Sequence, residues 1–216
     1  MGGAPPFTDR VCEISSGMCS SARPDLRRRL ATAADAPALV ELIRAAYRGP
    51  ASYERWTTEE HLVRGTRTDE RAVLTAIESA GSAMLVVQAD GGGELVACCR
   101  IADRGGGLAG FGMFAVDPAR QGAGTGRRVL RWAELAAAER FGAHTLELEV
   151  LGQQEQLRHW YGRLGYNPTG ETRAFPADPV FAVPMRDDLY LVVLTKRLAA
   201  ASGAGMSPDG SDPGLT

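Results

Sequence analysis

Histidine and cysteine are scarce in this 216-residue chain, with three and four residues, and aromatic side chains make up only 6% of it. The cysteines are Cys12, Cys19, Cys98 and Cys99. No second Cys or His pair stands at metal-ligand spacing, so no metal site is expected. Cys98 and Cys99 are neighbours on a predicted strand and point to opposite faces, which pairs badly as a disulfide. A reducing, cytoplasmic setting fits that usage. An excess of one charge is also lacking: 24 Lys and Arg stand against 26 Asp and Glu, a net charge of −2. Nothing in that balance calls for a nucleic-acid partner. No apolar run approaches the roughly 20 residues that a membrane-crossing helix needs, so no membrane is expected either. The opening MGGAPPFTDRVCEISSGMCSSARP has no apolar stretch behind a basic start and is not a secretory signal. It is expected to be a flexible leader over 1–25, with Met18 as an alternative start to Met1.

What is present, 44% hydrophobic residues, suffices for one core, and a single domain is expected over 26–198. Leu26 to Ala31 predicts a first strand. Asp35-Ala-Pro37 supplies a cap and an early proline, and Leu39, Leu42, Ile43 and Ala46 recur at helical spacing up to Tyr47, before Gly49-Pro50. Trp56 to Ile77 is expected as one or two helices broken near Gly65. Met84 to Gln88 and Leu95 to Ala102 flank a glycine-rich turn and predict a hairpin. Leu108 to Val116 predicts another strand, and a long helix follows to Phe141, closed by Gly142. Thr145, Glu147 and Glu149 alternate with Leu146, Leu148 and Val150, which is strand periodicity. A short helix is expected from Gln154 to Leu164. An extended piece starts at Tyr166, a proline-bearing loop covers Phe175 to Met185, and Tyr190 to Lys196 forms a last strand. The Gly-, Ser- and Pro-containing tail, 199–216, is expected to be disordered. Hairpins and crossovers together require a mixed α/β sheet.

The most informative stretch is Val116-Asp-Pro-Ala-Arg-Gln-Gly-Ala-Gly-Thr-Gly-Arg-Arg-Val-Leu130, where three alternating glycines run straight into a helix. Consecutive backbone N–H groups at a helix start, with about half a positive charge from the dipole, suit an anion. The run is no P-loop, because Gly126 is followed by Arg127-Arg128 and not by Lys-Ser or Lys-Thr. Nor is it a dinucleotide fingerprint: with Gly122 and Gly124 in place, the final glycine position holds Arg127, and counted from Gly124 it holds Val129.

Gln121-Gly-Ala-Gly124-Thr-Gly126, placed directly after Phe114-Ala-Val-Asp-Pro118, matches the pattern Gln/Arg-x-x-Gly-x-Gly/Ala, and Tyr161-Gly-Arg-Leu-Gly-Tyr166 follows downstream. On these two motifs the chain, from about Leu26 to Leu198, resembles the GNAT superfamily of acetyl-CoA-dependent N-acetyltransferases. The resemblance implies a mostly antiparallel seven-stranded mixed sheet flanked by about four helices. It also implies that the strand before the loop carries a bulge and splays from its neighbour. Backbone groups of Phe114, Ala115 and Val116 would then pair with the pantetheine arm of acetyl-CoA. Gln121, Gly122, Ala123, Gly124, Thr125 and Gly126 would cradle the pyrophosphate, with Arg127, and Arg128 beside it, adding charge. Gln154 stands where relatives often place Asn and can bond the arm through its amide.

For amine attack on a thioester, the resemblance places the general acid at Tyr161, which can protonate the departing thiolate. Glu149 lies 12 residues earlier, the spacing of base and acid in the ribosomal-protein alanine acetyltransferase branch. Glu147 shares its strand face, and either carboxylate could draw the proton directly or through water. Tyr53, Glu54 and Trp56, with Glu147, would frame the amine acceptor, while helix capping and core packing explain the first three equally well. His61, His144 and His159 have no partner at a telling spacing and are expected to be structural or surface residues, with His159 the nearest to Tyr161 but turned to roughly the opposite helix face. The acceptor is expected to be a small-molecule or amino-acid amine, with a protein N-terminus or lysine, or a non-catalytic coenzyme A module, as alternatives. Relatives often pair C-terminal edge strands, so a homodimer is expected.

Overall fold

In the computed structural model, which describes residues 26–48, 61–89 and 93–199, nine strands and four α-helices follow one another along the chain. The strands are β1 (Leu26–Leu30), β2 (Val63–Arg64), β3 (Ser82–Ala89), β4 (Leu95–Asp103), β5 (Leu108–Val116), β6 (Thr145–Leu151), β7 (Asn167–Ala174), β8 (Val183–Pro184) and β9 (Tyr190–Arg197). The helices are α1 (Ala36–Arg48), α2 (Glu70–Glu78), α3 (Thr125–Phe141) and α4 (Glu155–Arg163). Seven strands form one sheet in the order β1-β3-β4-β5-β6-β9-β7, and β2 and β8 form a separate pair. Among the described strands only β5 and β6 run parallel, as the α3 crossover between them requires. Apart from Ala199, the leader and tail lie outside the described residues.

Each helix start has a local cause. The 3₁₀ turn Ala33–Asp35 opens with a capping box between Thr32 and Asp35, and Arg29 forks onto the same carboxylate at 2.7 Å through both terminal nitrogens. From there α1 buries Leu39, Val40, Leu42, Ile43 and Ala46 at helical spacing. Each large side chain so buried stabilises the fold by about 1.5–3 kcal/mol. α3 lays Val129, Leu130, Ala133, Ala136 and Ala137 on the opposite sheet face, the alanines allowing close approach, and ends at Gly142 in the left-handed region (φ 61°). The cores on the two faces are separate, and Cys98 and Cys99, both free thiols, enter one each. Burial pushes the Cys98 thiol up to about 12 and the Cys99 thiol well above its usual value.

The expected helices between Trp56 and Ile77 need correction. Residues 56–60 lie outside the described residues, but Leu62 and Val63 are not helical. Val63–Arg64 pairs with Val183–Pro184, and Leu62 and Val63 pack against Leu151, Ala182 and Leu189 in a third small core. The helix begins only at Glu70, where the Asp69 carboxylate accepts from Ala72 N–H at 2.7 Å. The expected loop over Phe175 to Met185 likewise contains β8 and a bridge between Asp178 and Ala182. β9, the last strand, is flanked on both sides, so the C-terminal edge of the sheet is β7.

Candidate active site

β5 and β6 pair only from Leu108 to Phe111 against Thr145 to Leu148. Beyond Phe111 they separate, and β5 keeps β4 as its neighbour, with Ala97 opposite Val116 and Cys98 opposite Ala115. The register then jumps, so that Met113 and Phe114 together oppose Cys99. This is a bulge, and Met113 adopts φ 44° there. Asp117 N–H donates to Val96 C=O at 2.9 Å. By antiparallel alternation, Val116 and Phe114 therefore turn their own N–H and C=O groups away from β4, into the gap left by β6. An extended amide chain could add there as a further strand.

The loop after β5 closes the other end of this gap. Pro118–Arg120 makes a 3₁₀ turn capped by Asp117, and Gly122 and Gly124 follow at φ 86° and 84°, left-handed values that disfavour any side chain. Gly124 is the N-cap of α3 and has no side chain to satisfy the helix start; Arg128 N–H is the first to find an intrahelical acceptor, Gly124 C=O at 3.2 Å. The N–H groups of Thr125, Gly126 and Arg127 precede it and have no acceptor within the helix. A Cβ at Gly124 would meet no atom within 4 Å and would project into open space, whereas one at Gly126 would sit 3.4 Å from Phe114 Cζ and 3.6 Å from Trp160 Cζ2. Together these parts wall a cavity of about 480 Å³, lined by Phe114, Ala115, Val116, residues Gln121 to Arg128, Tyr47, Leu157 and Trp160. Phe114 and Trp160 stack with centroids 6.4 Å apart. The Thr125 hydroxyl turns away to Arg120 C=O, and the Gln121 side-chain amide donates to Val116 C=O at 3.1 Å. Arg127 is exposed, and the Arg128 guanidinium lies 5.2 Å over Trp132. Every loop residue singled out from the sequence is thus in one place.

Tyr161, on α4, is buried, with its ring edge-on to Trp160 at 4.8 Å and to Tyr166 at 5.6 Å. Burial first, then the nearness of Tyr47 and Cys99, raises its pKa well above that of an ordinary phenol. Its hydroxyl forms no hydrogen bond among the described residues. Gln154 is the N-cap of α4, 9% exposed, and its buried amide nitrogen has no partner among the described residues. A buried donor left so costs about 1–3 kcal/mol unless a ligand meets it.

Glu147 and Glu149 do share a face, but both are engaged. One nitrogen of Arg173 bonds both carboxylates, at 3.0 Å to Glu147, and Arg104 adds a bond to Glu147 at 2.8 Å. Glu147 is buried, while the Glu149 side chain keeps 29% exposure. Bonds to Glu171, Glu147 and Glu149 raise the Arg173 pKa further. Tyr53, Glu54 and Trp56 lie outside the described residues. His61, His144 and His159 are exposed. Sequence reasoning missed Tyr47, Trp160, Arg104 and Arg173, whose parts depend on contacts that no local spacing announces. No group of three or more His, Cys, Asp or Glu among the described residues could hold a metal, and no helix among them is long and apolar enough to cross a membrane.

No curated protein sequence matches the chain significantly. Among solved structures, it is similar to the ribosomal-protein-S18-alanine N-acetyltransferase of Escherichia coli, with 17% identity, a TM-score of 0.60, and coverage of 85% of this chain and 99% of that one. It is also similar to yncA of Salmonella typhimurium, solved with its cofactor acetyl-CoA (20% identity, TM-score 0.59, 87% and 99% covered). A spermidine N-acetyltransferase SpeG chimera from Vibrio cholerae and hSSAT follows (15%, 0.56, 80% and 95%). These likenesses show the shared fold. Residues 37–166 match the acetyltransferase (GNAT) family, a span that holds the bulged strand, the glycine cradle and Tyr161, and the chain belongs to that family of acyl-CoA-dependent N-acyltransferases.

Proposed function

We propose that this enzyme transfers the acetyl group of acetyl-CoA to a primary amine of a small molecule or amino acid, by direct attack with both substrates bound. The observation that carries this reading is the open edge of β5 leading into an uncapped glycine cradle. Acetyl-CoA supplies an activated thioester. The N–H groups of Thr125, Gly126 and Arg127 are placed to receive its pyrophosphate, where the anion completes the helix cap that Gly124 cannot provide. Phe114 and Val116 offer edge N–H groups to its amides and acyl oxygen, with Ala115 between them held to β4. Gln121, Gly122 and Ala123 shape the turn, and the unpartnered Gln154 amide is a donor for the arm.

In the transfer, a nitrogen–carbon bond forms and the carbon–sulfur bond breaks. The amine must lose a proton, and the leaving sulfur must gain one. Tyr161 is the donor: burial keeps its phenol protonated, and its hydroxyl is uncommitted among the described residues. Glu149 is the acceptor of the amine proton, as the more exposed carboxylate of the pair, and Glu147 anchors Arg173 beside it. Tyr53, Glu54 and Trp56 complete the acceptor pocket in this proposal.

A protein N-terminus or lysine is the second reading, favoured by the 12-residue spacing of Glu149 and Tyr161 and by the fold likeness to the E. coli alanine N-acetyltransferase. The buried free thiols fit a cytoplasmic setting, and the exposed edge of β7 is the expected route to a homodimer. Thiol release from acetyl-CoA, followed over spermidine, free amino acids and an alanine-terminated peptide, tests the assignment. Release with a small amine supports the first reading, release confined to the peptide supports the second, and release unaffected by Tyr161→Phe overturns the acid assigned.

A further inference from the structure

Tyr47 sits in the last turn of α1, and its hydroxyl donates to the Phe114 carbonyl at 2.7 Å. That carbonyl belongs to the bulge and faces the gap between β5 and β6, where no strand among the described residues pairs with it. A side chain 67 residues away in sequence takes that place. The Tyr47 ring is held in turn by Arg67, whose guanidinium carbon lies 4.5 Å over its centroid. Arg67 adopts φ 67°, a left-handed conformation that a long side chain keeps only where its surroundings impose it. What imposes it is the 175–189 segment: Arg67 N–H donates to Phe181 C=O at 3.1 Å, and Thr66 N–H to Val180 C=O at 3.0 Å. A chain of contacts from the 175–189 segment through Arg67 and Tyr47 thus ends on one backbone carbonyl.

In an extended residue the N–H and C=O point to the same side, so fixing the Phe114 carbonyl also fixes the Phe114 N–H at the open edge. We propose that Tyr47 is a positioning residue for acyl transfer, holding the bulge so that the Phe114 N–H meets the acyl oxygen of the thioester. Tyr47 exchanges no proton and touches no reacting atom. Its effect passes through the backbone, and it is large because a donor aimed at a developing oxyanion contributes about 10²–10³ in rate and loses that with small displacements. This inference rests on the acetyl-CoA reading above.

The test compares the protein with its Tyr47→Phe variant, which keeps the ring and the seat of Arg67 and removes the hydroxyl alone. Each is loaded with acetyl-CoA carrying ¹³C at the thioester carbonyl. Infrared difference spectra give the carbonyl stretch, and calorimetry gives the affinity. The stretch is expected below its free-solution value in the wild-type protein and shifted back toward that value in the variant, with Kd changed by no more than about twofold. The same stretch in both proteins would overturn the proposal, as would a wild-type stretch equal to that of free acetyl-CoA. A weakened affinity together with a lowered melting temperature in the absence of acetyl-CoA would reduce the hydroxyl to a packing partner and overturn it as well. If neither protein binds acetyl-CoA, the reading beneath the proposal fails with it.

Discussion

Tyr161 and Arg173 show how differently two side chains of one site respond to their surroundings. The Tyr161 phenol is buried without a protein acceptor among the described residues. Removing its hydroxyl therefore leaves no orphaned partner there, and Tyr161→Phe should leave the melting temperature nearly unchanged while lowering kcat about a hundredfold or more. Its raised pKa keeps the acid protonated beyond the ordinary phenol range. The pH profile of kcat should accordingly show no alkaline fall from loss of the acid below about pH 10. Arg173 instead gathers Glu147, Glu149 and Glu171 around one guanidinium. Arg173→Met leaves buried Glu147 with Arg104 alone and should destabilise the fold by about 1–3 kcal/mol, read from urea denaturation. By contrast, Arg186→Met, at a pair with Asp188 that is exposed on both sides, should leave the urea midpoint in place. Equal effects of the two substitutions would contradict the weight given to burial.

Among the elements, the start of α3 joins stability to function most directly. A helix that begins on Gly124 lacks the side-chain cap that Ser or Asp would supply, a loss of only about 0.3 kcal/mol because glycine leaves the helix start open to other partners. Gly124→Ala should destabilise the protein by a further 1–2 kcal/mol or so, since φ 84° is left-handed. Gly126→Leu should disrupt the stacking of Phe114 on Trp160, where even a Cβ is tight. These parts were legible before the structure: three glycines in series, Gly142 as a terminator and the alternation from Thr145 to Val150 each have a local cause. β2 and β8 were not, because two-residue strands carry no periodicity and exist through each other's hydrogen bonds. Asp69 did offer a signal, a capping residue just before Glu70, but the apolar Leu62 and Val63 pulled the expected helix too early. Tyr47 read as the end of an amphipathic helix, and nothing near it in sequence points to a carbonyl on β5. The engagement of Glu147 by Arg104 and Arg173 was hidden for the same reason.

For the whole molecule, the neutral buried groups set the response to alkali. Burial pushes the Cys98 thiol up from its ordinary 9.0 to about 12, and Cys99, Tyr161 and Tyr166 are also raised, chiefly by burial. A raised value means that the unfolded chain loses its protons first. Stability from these groups is therefore fully present below about pH 9 and declines as pH climbs toward 12. At the acid end, Arg29 first, and then Thr32, holds the Asp35 carboxyl far below its usual 3.8, so its contribution is present above that value and lost as pH falls beneath it. Denaturation midpoints across pH check both limbs, and a stability that rose above pH 9 would contradict the first. The central claim, that the Gly122–Gly126 loop seats the pyrophosphate of acetyl-CoA, is tested most directly by the melting temperature with and without acetyl-CoA, in the wild-type protein and in Gly124→Glu. At a hundred times its Kd the ligand should add about 2.7 kcal/mol, a rise of roughly 5–10 °C for a chain of this size. That rise should be absent in the variant, whose carboxylate enters the cradle. No rise in the wild-type protein, or the same rise in both, would contradict the account.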